Sequence, residues 1–99
     1  MNDHLAIEVT VGSPVIVTLR GDLDLRAVPL LRRTLNMLSD DHIVIDCTNL
    51  RFLDSTGISV FVEIQRDRER TGRIMQLRNV AGPARRTLEI CGLIDTLGV

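Results

Sequence analysis

The stretch VIDCTNLRFLDSTGISVF, from Val44 to Phe61, contains two different hydrophobic periods. Its first residues belong to the nearly continuous apolar run HIVIDCT, which is typical of a central strand covered on both faces. After Ser55 apolar residues recur at the spacing of a helix, and we expect the inward-facing ones to be Ile58, Phe61, Val62 and Ile64. The stretch therefore predicts a strand, a short connection, and a helix that begins at Asp54-Ser55-Thr56-Gly57.

The residues before this stretch predict a β-hairpin followed by a helix. The runs LAIEVTV and PVIVTLRG are rich in β-branched residues and are joined by the turn signal Gly12-Ser13-Pro14. The segment DLRAVPLLRRTLNMLSD then has Pro29 near its start. Its apolar residues have helical spacing, which predicts an amphipathic helix with a core-facing side formed by Val28, Leu31, Leu35 and Leu38.

The residues after this stretch predict one more strand and one more helix. The charged run RDRER is expected on the solvent face of the second helix, which Thr71-Gly72 should end. RIMQLRN is a further strand, and GPARRTLEICGL is a helix that buries Ala84, Leu88 and Cys91 and ends near Gly92. The predicted order is ββαβαβα. Because strands joined by crossover helices pair in parallel, we expect a mixed four- to five-stranded α/β sheet with an antiparallel edge, a parallel centre and helices packed against it.

Length and composition predict one domain spanning residues 1–99. The chain has 99 residues, 44% apolar content and a formal net charge of -1. No apolar run approaches the roughly 18 residues of a membrane span, and the start MNDHLAIEVTV lacks the pattern of an export signal. We therefore expect a cytoplasmic protein that does not act on membranes. Cys47 and Cys91 are too few for a zinc site or a disulfide framework, although a regulatory disulfide between them stays open.

Several enzyme classes and ligands are disfavoured by the residues that the chain lacks. All 12 basic residues are arginine, so the chain has no lysine for a P-loop or for a Schiff base. Asp46 at the end of a central strand could suggest the phosphoacceptor of a receiver domain, but that chemistry also needs a lysine. His4 and His42 are the only candidate bases for hydrolysis, and both positions suggest solvated side chains. Mixed charges without interleaved aromatic residues disfavour a nucleic-acid surface. We expect no enzyme activity, no metal and no cofactor.

Two acidic segments remain as candidate sites, and each has a purely structural alternative. Asp54 or Ser55 can cap the second helix while Gly57 permits close packing, and Asp24 of the GDLDL segment can cap the first helix. Asp22 and Asp24 could also suggest Mg²⁺, but the chain has no glycine-rich loop that would hold a substrate phosphate. These residue types alone do not decide between capping and function.

Three segments of the chain resemble the anti-sigma factor antagonists of the STAS family, the bacterial SpoIIAA/RsbV-like group. They are GDLDL (residues 21–25), VIDCTNLRFLDSTGISVF (residues 44–61) and LRNVAGPARRTLEICGL (residues 77–93). The middle one is the most specific, since the family pattern is an apolar strand ending in Asp, a short connection and D-S-[ST]-G before an apolar helix. The resemblance spans nearly the whole chain and implies the STAS fold.

The resemblance implies a phosphorylation switch at Ser55, with Thr56 as its neighbour and not as the acceptor. By analogy, the unphosphorylated protein would bind the ATP-bound form of an anti-sigma factor serine kinase and release a sigma factor, and a PP2C-type phosphatase would reverse the modification. Asp22, Asp24 and the Asp54-Ser55-Thr56-Gly57 turn would contact the kinase. The alternative is a STAS module without a switch, which serves as a scaffold in a transporter-associated or multi-protein assembly.

Overall fold

Seven secondary-structure elements follow one another in the predicted order ββαβαβα in the computed structural model, which describes residues 5–99. His4, one of the two histidines considered above, lies outside the described residues. The elements are β1 (Leu5–Thr10), β2 (Val15–Leu23), α1 (Val28–Asn36), β3 (His42–Leu53), α2 (Ser55–Glu69), β4 (Ile74–Arg78) and α3 (Gly82–Ile90).

The described strands form one four-stranded sheet in the order β1-β2-β3-β4. Strands β1 and β2 pair antiparallel across the predicted turn, whereas the pairs β2-β3 and β3-β4 are parallel. The mixed sheet with an antiparallel edge is therefore confirmed. Helix α1 connects β2 to β3, and α2 connects β3 to β4, so both connections move to the next strand in the same direction across the sheet. Because crossovers between parallel strands are right-handed, the two helices lie on the same face of the sheet.

The core lies between that face of the sheet and the three helices. Leu31 of α1, Phe61 of α2 and Leu88 of α3 are fully buried in one cluster with the inward residues of all four strands. None of the helices described between residues 5 and 99 lies over the opposite face, where Thr48 is exposed and Val44 is only half-buried. The prediction that β3 is covered on both faces is therefore wrong, because the crossover helices pack on one side only.

Strand β3 is longer and less regular than its apolar run predicted. It continues to Leu53, so Asp54 follows the strand directly and the expected short connection does not exist. Its pairing with β2 shifts register twice, and the buried residues change from alternate positions to every third one at Cys47, Leu50 and Leu53. Each shift inserts one extra residue into β3, as in a β-bulge.

The charged run at the end of α2 is only partly on the surface. Arg68 is 3% exposed and donates hydrogen bonds to the backbone oxygens of Leu38, Asp40 and Ile74. The prediction that all of RDRER faces solvent is therefore wrong at Arg68. This side chain lies on the inner side of the helix, where it binds three carbonyls that otherwise have to be satisfied by water.

The two cysteines occupy different environments. Cys47 is buried on β3, and desolvation raises the pKa of its thiol to about 12, so it stays protonated at neutral pH. Cys91 is exposed and lies directly after α3 as its C-cap residue, with Gly92 in a left-handed conformation next to it. The helix end at Gly92 is confirmed, whereas the prediction that Cys91 is buried is wrong. Both thiols are free.

Candidate functional site

The start of α2 is organised by the side chain of Asp54. This residue has an extended backbone, and its Oδ1 accepts hydrogen bonds from the backbone N–H groups of Thr56 and Gly57 at 3.0 and 3.1 Å. It therefore satisfies two of the N–H groups that the first turn of every helix leaves without an intrahelical partner. The predicted capping role of Asp54 is confirmed.

Gly57 lets this first turn lie directly on the ends of β2 and β3. A Cβ atom at this position would come within 2.7 Å of Leu23 Cγ and 2.9 Å of Leu53 Cδ1. Contacts this short do not occur between real side chains, so any larger residue forces the helix or the two leucines to move. The glycine is required for close packing, as the sequence predicted.

The two hydroxyl residues of the turn differ in their freedom. Thr56 Oγ1 donates to Asp54 Oδ1 at 2.5 Å and is thereby held against the helix start. Ser55 is exposed, and its hydroxyl makes no hydrogen bond to any of residues 5–99; only its backbone oxygen is used, as the acceptor for Ser59 Oγ. Of the two hydroxyls, Ser55 therefore offers the one that an external group can reach without breaking a bond.

The acids of the GDLDL segment lie on the same edge of the sheet as the Ser55 turn. Asp22 is opposite Phe52 in the pairing of β2 with β3, and the next pair joins Leu23 to Leu53. The backbone N–H of Asp54 also donates to the oxygen of Leu23. The carboxyl ends of the two central strands therefore bring Asp22 next to the segment that carries the serine, as expected for parallel strands.

Asp24 does not cap α1, contrary to the prediction. The helix begins later, at Val28, after Ala27, and among residues 5–99 no side chain makes a capping hydrogen bond to it. Asp24 Oδ1 instead accepts the backbone N–H groups of Arg26 and Ala27 and so closes the turn that precedes the helix. A hydrogen bond from the Arg26 side chain is the largest of several effects that lower the pKa of Asp24.

Two arginines that the sequence did not indicate form ion pairs with these acids. Arg26 Nη2 lies 3.1 Å from Asp24 Oδ2, and Arg51 Nε lies 3.4 Å from Asp22 Oδ1. The Asp-Leu-Arg spacing of residues 24–26 could have suggested the first pair, whereas the second depends on the register of β2 and β3. The negative field at this edge is consequently weaker than the number of its acids suggests.

Asp46 and His42, the other polar residues considered in the sequence, make hydrogen bonds to neighbouring side chains within the fold. Asp46 Oδ1 accepts hydrogen bonds from Thr48 and from Asn79 Nδ2, and these bonds, the one from the Thr48 hydroxyl first, lower the pKa of Asp46. His42 is the first residue of β3 and is half-buried. Its Nε2 lies 3.0 Å from Gln76 Oε1. Among residues 5–99 no three His, Cys, Asp or Glu side chains are grouped so that they could hold a metal ion.

An open pocket of about 630 Å³ lies beside the site, on the sheet face opposite the described helices. It is lined by residues of β1, β2 and the irregular half of β3: Leu5, Ala6, Arg20, Gly21, Thr48, Asn49, Leu50 and Arg51. Arg51 belongs both to this pocket and to the ion pair with Asp22. No helix within the described residues is long and apolar enough to cross a bilayer.

The fold is that of a small α/β domain, a mixed sheet with helices on one face. Its distinctive feature is a surface turn at the edge where the parallel strands end, and this turn carries a free serine at a capped helix start. The STAS domain model matches residues 5–99 of the chain. The chain therefore belongs to the STAS domain family, and the fold expected from the sequence resemblance is confirmed.

Relatives of known name agree with this membership. The chain is 29% identical over 100 residues to an anti-sigma-B factor antagonist of Staphylococcus aureus strain NCTC 8325, with 97% of this chain and 93% of the relative covered. The crystal structure of an anti-sigma factor antagonist from Mycobacterium paratuberculosis is similar with a TM-score of 0.80 and 25% identity, over 98% of this chain and 86% of that one. The anti-sigma factor antagonist SpoIIAA in its unphosphorylated form gives a TM-score of 0.76 and 24% identity, over 89% and 82% of the two chains.

Proposed function

We propose that this protein is an anti-sigma factor antagonist whose activity is switched by phosphorylation of Ser55. In the unphosphorylated form it binds an anti-sigma factor serine kinase, in the ATP-bound form of that kinase, and thereby releases a sigma factor. The names of its sequence relatives support the class of function. The observation that carries the switch is the contrast at the helix start, where the hydroxyl of Ser55 is free and that of Thr56 is bound to Asp54.

Phosphate on Ser55 changes the surface of the domain without requiring it to unfold. The group adds about -1.5 to -2 charge at neutral pH beside Asp54 and close to Asp22. The amino end of α2 tolerates an anion, because the helix dipole is typically worth about 0.3–1 kcal/mol to a negative group there. A partner surface that covers Ser55 would instead have to bury a dianion, at a cost of several kcal/mol.

The remaining parts of the proposal concern partners and setting. Residues 1–99 form one STAS domain that acts in the cytoplasm and performs no catalysis itself. Asp22, Asp24 and the turn from Asp54 to Gly57 contact the kinase. A PP2C-type phosphatase removes the phosphate and restores binding. No nucleic acid and no membrane take part.

The experiment combines mapping of the phosphate with a binding measurement. The anti-sigma kinase, recovered by pull-down from the source cells and purified, is incubated with the protein and ATP, and the product is analysed by phosphopeptide mass spectrometry. We expect phosphate on Ser55 alone. By calorimetry, the phosphorylated protein should bind the same kinase at least about 100-fold more weakly than the unmodified one, which corresponds to about 2.7 kcal/mol.

The matched variants are Ser55→Ala and Thr56→Val. Ser55→Ala should remain unlabelled and keep its affinity after incubation with ATP, whereas Thr56→Val should be labelled like the wild type. Phosphate on Thr56, or equal affinity of the modified and unmodified proteins, would contradict the switch. Binding without any labelling would favour the alternative of a scaffold module.

A further inference from the structure

Two large apolar side chains are exposed on the edge that carries Ser55. Phe52 is 46% exposed and Leu25 is 67% exposed. The chain has only two aromatic residues, and the other one, Phe61, is fully buried in the core. An aromatic residue left on the surface of so small a domain is therefore a specific feature of this edge, since burying it in the core would stabilise the fold.

The exposure of Phe52 results from an irregularity in β3. In a regular strand side chains alternate, so a buried Leu50 would be followed by a buried residue at position 52. The register between β2 and β3 shifts after the pair Gly21–Leu50, where β3 contains one extra residue, and Leu53 is buried instead. Bulges of this kind redirect side chains and are frequent beside functional sites. Here the bulge presents Phe52 next to Asp22, its partner across the strands.

The charges around these two side chains are nearly balanced. Asp22 is paired with Arg51 and Asp24 with Arg26, and Asp54 directs one carboxylate oxygen into its own helix start. These pairs leave little net charge at this edge, so we expect long-range attraction to an oppositely charged surface to be weak. A surface with an exposed apolar centre and paired charges around it has instead the composition of a protein interface with an apolar core and a polar rim.

We propose that Phe52 and Leu25 form an apolar anchor through which the domain binds the anti-sigma kinase, and that the kinase presents a concave apolar site with a rim of alternating charges. This inference rests on the proposed function and adds the kind of surface that the partner must have. The anchor is continuous with the Ser55 turn, because Phe52 lies three residues before the serine on the same edge. A phosphate on Ser55 would then stand at the rim and hinder burial of the anchor.

The test is a calorimetric titration of the purified anti-sigma kinase, with a non-hydrolysable ATP analogue so that no phosphate is transferred. Phe52→Ala should raise the Kd about ten-fold or more, because truncated aromatic anchors cost more than most interface residues. Leu25→Ala should have a smaller effect, and Phe52→Leu should retain part of the affinity. The Kd of the wild type should change little between low and moderate salt, unlike that of a complex steered by charge.

Val11→Ala is the matched control, because Val11 is 90% exposed in the turn between β1 and β2, at the opposite end of the sheet. It should leave the Kd unchanged, and circular dichroism should show that all variants melt like the wild type. Wild-type affinity of Phe52→Ala, or an equal loss in Val11→Ala, would overturn the anchor while the proposed function stands. Failure of the wild type itself to bind the kinase would instead overturn the proposed function, and the anchor with it.

Discussion

The two ends of helix α2 are held by different charged side chains, the carboxylate of Asp54 near the surface and the guanidinium group of Arg68 inside the protein. At the amino end, the side chain of Asp54 accepts hydrogen bonds from residues two and three positions further along the chain. At the carboxyl end, Arg68 donates to backbone oxygens that are 30, 28 and 6 positions away in sequence. One charged side chain thus organises a single helical turn, and the other connects the helix to the α1–β3 loop and to β4.

This difference is what the proposed switch requires of a helix that is also part of the core. Because the side-chain contacts of Asp54 are local, we expect a change at the neighbouring Ser55 to disturb mainly the first turn of the helix. Because the contacts of Arg68 are long-range, they hold three elements in place whatever happens at the other end. The comparison therefore predicts a large stability effect at the carboxyl end and smaller effects toward the amino end.

The largest effect is expected for Arg68→Ala. This change removes three hydrogen bonds from a charged donor and leaves the oxygens of Leu38, Asp40 and Ile74 without their partner. We expect the free energy of unfolding to fall by roughly 3 kcal/mol in urea denaturation. Arg66→Ala is the control, since Arg66 is an exposed arginine of the same helix and its loss should cost no more than about 0.5 kcal/mol. Equal effects of the two changes would contradict the role of Arg68 in connecting α2 to the α1–β3 loop and to β4.

An intermediate effect is expected for Gly57→Ala at the amino end. In an unobstructed helix this change stabilises by up to about 1 kcal/mol, because alanine is the better helix former. Here the new Cβ would meet Leu23 and Leu53, and overpacking typically costs about 1–3 kcal/mol. We therefore expect a net loss of unfolding free energy, measured in urea as for Arg68→Ala. Ser59→Ala, two residues further along the helix and exposed, should be nearly neutral. A gain of stability in Gly57→Ala would contradict the close packing of this turn.

The parts of the fold that depend on local pattern could be predicted from the sequence. The hairpin, the order of elements, Pro29 in the first turn of α1 and the capping role of Asp54 all follow from residue type and spacing. The candidate turn could be located for the same reason, since an acid, two hydroxyls and a glycine before an apolar run are typical of a helix start.

The parts that depend on tertiary register could not be predicted. The two bulges of β3 leave no trace in residue spacing, so the exposure of Phe52 and the pairing of Arg51 with Asp22 were missed. The sequence predicts a surface position for Arg68, because a charge within a charged run gives no indication that its side chain is buried and bonded to three backbone carbonyls. The role of Asp24 was misplaced because the turn before α1 delays the helix start to Val28.

The smallest stability effect is expected at Asp54 and separates its capping role from its charge. Asp54→Ala removes the acceptor for two backbone N–H groups and should cost about 1 kcal/mol, within the usual 0.5–2 kcal/mol for a lost cap. Asp54→Asn should cost much less, because asparagine caps nearly as well without the charge. Urea denaturation of both variants beside Arg68→Ala gives the comparison directly. If Asp54→Ala destabilised the protein as much as Arg68→Ala, the amino end would not be a local structure, and phosphate at Ser55 would be expected to act by unfolding the domain. If the order is as expected, the turn can change its charge while the core that Arg68 holds together stays intact, which is the property that a surface switch on this helix requires.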